Sequence, residues 1–315
     1  MGHAAASSPP LDRTPLGTAL MLGFCATAPL IDMFSKLAAA TLPVGQITAG
    51  RFVFQALLLV PVVLVFGLDM RMSRRALALT FVRAALSIGS TFLFVAAVRV
   101  MPLADALAIA FVEPFLLLLI GHFVLRERVG GRRLAAAVVG FAGTLMVVQP
   151  SFAAFGPVAL LPLGTAVFFS LYMLSTRSAS KGMHPVVLQA VTALAGTAIC
   201  VPVLWAFDGS GIADLDPAWP TALGLLWMFG MGAAAAGSHM LLTYALRNAS
   251  ATVLAPLHYL ELVAATVLGL LVFGDFPDGT TWAGIGVIAA AGLYIIHRER
   301  VTAQAALPIP FDPTS

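Results

Sequence analysis

The chain has 315 residues, 60% of them hydrophobic and 10% charged, with a formal net charge of +3. An ordinary soluble domain carries about 25% charged residues, so 17 Lys and Arg with 14 Asp and Glu cannot cover a water-facing surface of this length. Soluble enzymes, nucleic-acid-binding domains and disordered chains are excluded; the composition is that of a polytopic membrane protein, with the lipid bilayer as partner and no nucleic acid.

In chain order, Met1 to Thr14 lacks the basic start of a signal peptide, and the following apolar run is too long for one. Ala6 stands where a myristoylation signal would place Ser or Thr. The first apolar segment is therefore expected to stay in the mature protein. A transmembrane helix needs about 20 apolar residues, and ten segments qualify, roughly 16–39, 45–67, 76–98, 102–125, 131–149, 157–176, 185–207, 219–246, 250–273 and 280–297. Turns such as Gln149-Pro150-Ser151 and Phe276-Pro277-Asp278-Gly279 separate them. They are continuously apolar rather than alternating, so a β-barrel is excluded.

Basic residues set orientation. With the N-terminus inside, the inner loops and tails hold Arg13, Arg71, Arg74, Arg75, Arg126, Arg128, Arg132, Arg133, Arg177, Lys181, Arg247, Arg298 and Arg300. The outer loops hold only Arg99, together with Asp208, Asp214, Asp216, Asp275 and Asp278. Both termini are expected in the cytoplasm, residues 1–15 and 298–315 forming the tails. Cys25 and Cys200 lie inside apolar stretches and offer neither a disulfide framework nor a metal site.

A shift of 148 positions superposes Ala97 on Ala245, Arg99 on Arg247, Glu113 on Glu261, Gly121 on Gly269, Glu127 on Asp275 and Gly131 on Gly279. Each half then holds five spans, 16–149 and 157–297. Because five is odd, the second half enters the membrane inverted, as in many secondary transporters, whose sites lie near the midplane between halves.

Two passages carry a family resemblance: Pro114 through Leu125-Arg126-Glu127-Arg128 to Gly140-Phe141-Ala142-Gly143, and Pro256-Leu257 through Phe273-Gly274-Asp275 to Gly284. They resemble the two EamA repeats of the drug/metabolite transporter superfamily, with a proline in the fourth helix, an acidic turn and a glycine-bearing fifth helix. The second repeat departs from the pattern in having Asp275 where Glu is usual. Lys36 and Arg51 stand where the family often has basic residues. The resemblance implies a ten-helix, two-repeat carrier whose relatives export amino acids or move other small metabolites.

Ionisable residues inside spans are costly and are functional candidates by default. Counting about 1.5 Å per residue, Asp32 and Arg51 both come about 10 Å below the outer boundary, with Lys36 one turn further out than Asp32 on the same face. They are read either as an ion pair of Asp32 fixing two helices, or as an outer gate or substrate-charge contact. Glu113 and Glu261 come near the midplane at equivalent places, where they contact substrate or a proton, or act as structural ties. Arg83, His239 and His258 form an inner group; His258 and Glu261 are three apart on one helix face, and Arg83 is long enough to reach either Glu or to receive a substrate carboxylate. Small residues from Gly230 to Gly237, flanked by Trp227 and Tyr244, leave room for a close approach or a cavity. Ser87, Ser90, Thr91, Ser170 and Tyr172 supply hydroxyls to it.

No phosphate loop, zincin motif or hydrolase elbow is present, no cofactor or metal site is expected, and the DxxD of Asp275 to Asp278 is better explained as a proline turn. The expectation is an alternating-access carrier of a bacterial inner membrane that exports amino acids, with proton coupling chemically reasonable. A carrier of another metabolite, such as a vitamin, nucleoside-like compound or drug, is the alternative. A membrane enzyme and a channel rank behind it.

Overall fold

The computed structural model describes residues 14–123, 131–179, 183–248, 257–258 and 260–305. Arg13, Arg126, Glu127, Arg128, Lys181 and Pro256, which carry part of the expected topology and repeat, lie outside them. The described elements are all helical: α1 (Thr14–Ala39), α2 (Val44–Val65), α3 (Arg74–Val98), α4 (Leu103–Ala110), α5 (Glu113–Phe123), α6 (Gly131–Phe155), α7 (Leu161–Ala179), α8 (Pro185–Ala206), α9 (Ala222–Asn248), α10 (Leu260–Leu268) and α11 (Gly279–Ala305). A 3₁₀ turn, Gly156–Leu160, joins α6 to α7, and a π turn, Gly269–Phe273, follows α10. Seven stretches among the described residues are long and apolar enough to cross a membrane, one of them the 43-residue Leu134–Thr176.

The distribution of side chains inverts that of a soluble protein. Leu57, Val65, Val138, Leu226 and Leu271 are exposed, whereas Thr80, Arg83, Ser87, Thr91, Glu113 and Glu261 are buried. Lipid solvates the apolar exterior, and within it every backbone polar group must find its partner inside the protein, which helices provide.

Three boundaries differ from the expected ones. The segment 102–125 is broken at Phe111–Val112 into α4 and α5. Pro114 has no N–H for the Ala110 carbonyl, so the chain tightens, with Val112 N on Ile109 O at 3.2 Å, before a new helix starts at Glu113. The fifth segment does not end at Gln149-Pro150-Ser151, because α6 continues through Pro150 to Phe155. The reversal comes instead at Gly156, whose φ of 65° a residue without Cβ adopts freely. In the ninth segment α10 gives way to a π turn, closed by Gly274 at φ 72° with Asp275 N bonded to Gly269 O at 3.1 Å.

Helix pairing is two-fold. α1 packs on α9 and α3 on α7; α2 packs on α9 and α8 on α3; α2–α8 and α6–α11 are pairs of equivalent helices. Glycine contacts give the register. A Cβ at Gly23 would lie 3.4 Å from Leu241, and one at Gly164 2.8 Å from Leu93. Leu93 and Leu241 are related by the 148-residue shift, so Gly23 and Gly164, 141 apart, occupy equivalent places.

The turn before α11 is capped locally. Asp278 Oδ1 accepts from Thr281 N at 2.7 Å, and this bond, with help from Thr280, holds the Asp278 carboxyl below the usual carboxylate range. The cap therefore contributes fully above the ordinary carboxylate range and is lost as pH falls through the lowered value. Asp278→Ala is expected to cost about 0.5–1 kcal/mol, measured as thermal melting in detergent, with the gap from wild type shrinking on acidification.

Candidate functional site

A cavity of about 150 Å³ lies at the centre of the helices. Its wall is mainly apolar, with Phe24, Phe94, Phe111 and Phe169, and it carries six ionisable side chains: Asp32, Arg51, Glu113, His239, His258 and Glu261. Ser87, Ser90 and Thr91 of α3 add hydroxyls. A mostly apolar pocket with a few placed polar groups is the usual form of a small-molecule site.

Part of the cavity is built from equivalent positions of the two halves. The 148-residue shift relates Thr91 to His239, Ala110 to His258 and Glu113 to Glu261; the 141-residue shift of α1 onto α7 relates Phe24 to Thr165 and Ala28 to Phe169. All ten residues line it. Both halves therefore contribute to it at matching places, and it is chemically asymmetric, because both histidines come from the second half.

Each charged group has its own environment. His258 Nε2 meets Glu261 Oε2 at 2.9 Å, and the imidazole lies between the rings of Phe24 and Phe111, with centroids at 5.6 and 5.3 Å. Glu113 is the first residue of α5, directly after the helix break; its carbonyl accepts from Ser170 Oγ at 3.2 Å. Arg51 Nη1 donates to Thr91 Oγ1. Arg51 Nε and His239 Nδ1 are buried and have no hydrogen-bond partner among the described residues.

The Asp32, Lys36 and Arg51 group does not close on itself. Lys36 Nζ pairs with Asp275 Oδ2 at 2.5 Å, donates to Met101 O at 3.0 Å and lies 4.6 Å over the Phe273 ring. Among the described residues Asp32 makes no ion pair with either cation. An i,i+4 spacing only permits contact, and the turn set by Gly274 brings a carboxylate to Lys36 from the far end of the chain. Because this pair is only 16% and 27% exposed, a Lys36→Met, Asp275→Asn double-mutant cycle on thermal melting is expected to show coupling of about 1 kcal/mol. Additive single effects would remove the tie.

Arg83 lies outside the cavity wall. It is 0% exposed; Nε donates to Thr176 Oγ1 at 2.8 Å, Nη2 to Tyr172 Oη at 2.5 Å, and Nη1 to Thr192 Oγ1 and to Leu188 O. It reaches neither glutamate. The cage ties α3 to α7 and α8 and takes Tyr172 with it. Trp227 stacks on Phe34 at 5.9 Å between centroids, again away from the cavity wall. The aromatic wall and Thr165 were not foreseen; phenylalanines are frequent in any membrane span, and only the shift between halves marks Phe24 and Phe169.

Comparison with known proteins accords with this geometry. The EamA-like transporter family model matches residues 15–149 and again 156–297. The chain is 25% identical over 283 residues to an S-adenosylmethionine uptake transporter of Rickettsia prowazekii, covering 87% of this chain and 90% of that one. It is 30% identical over 206 residues to a riboflavin transporter of Rhizobium johnstonii, covering 65% of this chain and 66% of that one. It is 26% identical over 291 residues to the pseudopaline exporter CntI of Pseudomonas aeruginosa, covering 92% and 99%. A solved crystal structure shares the fold, with a TM-score of 0.63 over 90% of this chain and 99% of its own at 20% identity. The chain belongs to the EamA-like transporter family, as a multi-pass membrane protein.

Proposed function

We propose that the central cavity is the translocation site of an alternating-access carrier for a small metabolite, and that its cargo is an amino acid moved outward across a bacterial inner membrane. The observation that carries this reading is the cavity shared by the two halves, lined by Glu113 and Glu261 at equivalent places. A site shared by two related halves can be exposed to one side by rocking one half and to the other by rocking its counterpart. Ten spans in two inverted repeats, 16–149 and 157–297, with both termini cytoplasmic, give the halves the required opposite sense.

In this mechanism the two ties act as closures. Lys36 links the end of α1 to the turns after α3 and α10, and Arg83 links α3 to α7 and α8. Opening one while the other holds lets substrate leave to a single side. Glu113, facing the cavity beside the helix break, is the best-placed group for proton exchange.

The range of the relatives favours a second reading, a carrier of some other metabolite, since the named ones handle S-adenosylmethionine, riboflavin and pseudopaline. The test is uptake into liposomes holding the purified protein, with one labelled amino acid challenged by a panel of unlabelled amino acids, riboflavin and S-adenosylmethionine. Saturable uptake displaced by amino acids is expected. Saturable uptake of riboflavin or S-adenosylmethionine alone transfers the site to the second reading, and no saturable uptake of any of them ends the carrier reading.

A further inference from the structure

Two buried nitrogens, Nε of Arg51 and Nδ1 of His239, have nothing to bond among the described residues, and both residues line the cavity. A buried polar nitrogen left unmet costs about 1–3 kcal/mol, and two of them on residues that line one cavity point to a polar partner there. The helices bring them together for a stated reason. A Cβ at Gly232 would lie 3.2 Å from the Arg51 carbonyl oxygen, so α9 rests directly on α2 at this level. His239, two turns further along α9, lines the same cavity as Arg51. It occupies on α9 the place that Thr91, the acceptor of Arg51 Nη1, occupies on α3. Arg51 is thus anchored through Nη1, with its Nε unmet.

Asp32 completes the group. It lines the same cavity and, among the described residues, makes no ion pair with Arg51. An anion alone would meet Asp32, and a cation alone would meet Arg51; a molecule carrying both charges side by side satisfies the two.

We propose that Arg51 and His239 form the carboxylate-binding half of a head-group subsite, and Asp32 the ammonium-binding half. The substrate class is then a zwitterion with adjacent carboxylate and ammonium groups, its side chain against the phenylalanine wall. His239 serves as the Nδ1–H tautomer. The assignment rests on the cavity being the translocation site.

The test is thermal melting of the full-length chain in detergent, titrated with leucine, methionine and phenylalanine and with the amide of each, at slightly acidic pH where both forms carry the ammonium group. Riboflavin, which has no carboxylate, is titrated in parallel. The free acid is expected to act at concentrations about tenfold or more below its amide. Arg51→Gln and His239→Gln are expected to bring the two curves together by weakening the acid alone. If Arg51→Gln does not fold, Arg51→Lys keeps the charge without the Nε–H, and a narrowed ratio is expected there. Equal potency of acid and amide in the wild type, or a preference that survives both variants, overturns the subsite. Saturable binding and uptake of riboflavin with no response to any amino acid overturns it while leaving the carrier intact. No binding and no uptake of any compound removes both.

Discussion

Gly284→Val is expected to lower stability by about 3 kcal/mol, at the upper end of the usual cost of overpacking a close helix contact. A Cβ at Gly284 would lie 2.5 Å from Val147 Cγ2 and 2.8 Å from the Gly143 carbonyl oxygen. At Gly143 a Cβ would lie 2.8 Å from Val287 Cγ1 and 3.1 Å from Ile288 N. Two of these four neighbours are backbone atoms, which cannot swing aside as the end of a side chain can. Lipid tails are as apolar as leucine, so membrane helices associate through such close packing rather than through a hydrophobic force. The α6–α11 pair is therefore held by shape. Melting in detergent and recovery as a single species on gel filtration read the effect. Gly286→Ala is the matched control, because a Cβ there meets nothing within 4 Å; it is expected to leave stability unchanged or slightly raised, as helix propensity dictates. Equal loss in both variants would remove the packing explanation.

The two cavity glutamates are expected to fail differently. Glu261→Gln leaves His258, wedged between Phe24 and Phe111, without its acid. Loss of a charge-assisted hydrogen bond at a buried site costs about 1.5–3 kcal/mol, so melting falls and flux falls with it, about tenfold or more. Glu113 has no ion-pair partner among the described residues, so Glu113→Gln is expected to melt close to wild type. Its effect is functional: uptake into liposomes loses its stimulation by a pH gradient while uptake without a gradient persists. Unchanged flux in both variants, with and without the gradient, would make the pair structural ties and nothing more.

Much of this arrangement is legible in the residues, and the part that is not has identifiable causes. Continuous hydropathy marks the helices, because lipid demands about 20 apolar residues whatever the neighbours are. The 148-residue shift pairs Glu113 with Glu261, and both line the same cavity. The break at Phe111–Val112 is harder to foresee. Pro114 frees one carbonyl, but Pro29, Pro61, Pro150 and Pro202 sit inside helices that continue; whether a helix breaks depends on what packs around the freed group. Partners distant in sequence were equally hidden. Lys36 and Asp275 are 239 residues apart, and the choice of Asp275 over Asp32 depends on the Gly274 turn. Thr176 and Thr192, which cage Arg83, are ordinary helix threonines until α7 and α8 are docked on α3. Electrostatic need was visible at Arg83, but the hydroxyls that meet it were not.

Counterflow reads carrier action most directly. Liposomes containing the wild-type protein are preloaded with the unlabelled amino acid that competes best in the uptake panel, then diluted into a trace of the labelled form. An alternating-access carrier returns its site loaded from either side, so labelled uptake is predicted to overshoot its equilibrium level and to saturate with concentration. Uptake that rises linearly with concentration and never overshoots would contradict a single alternating site.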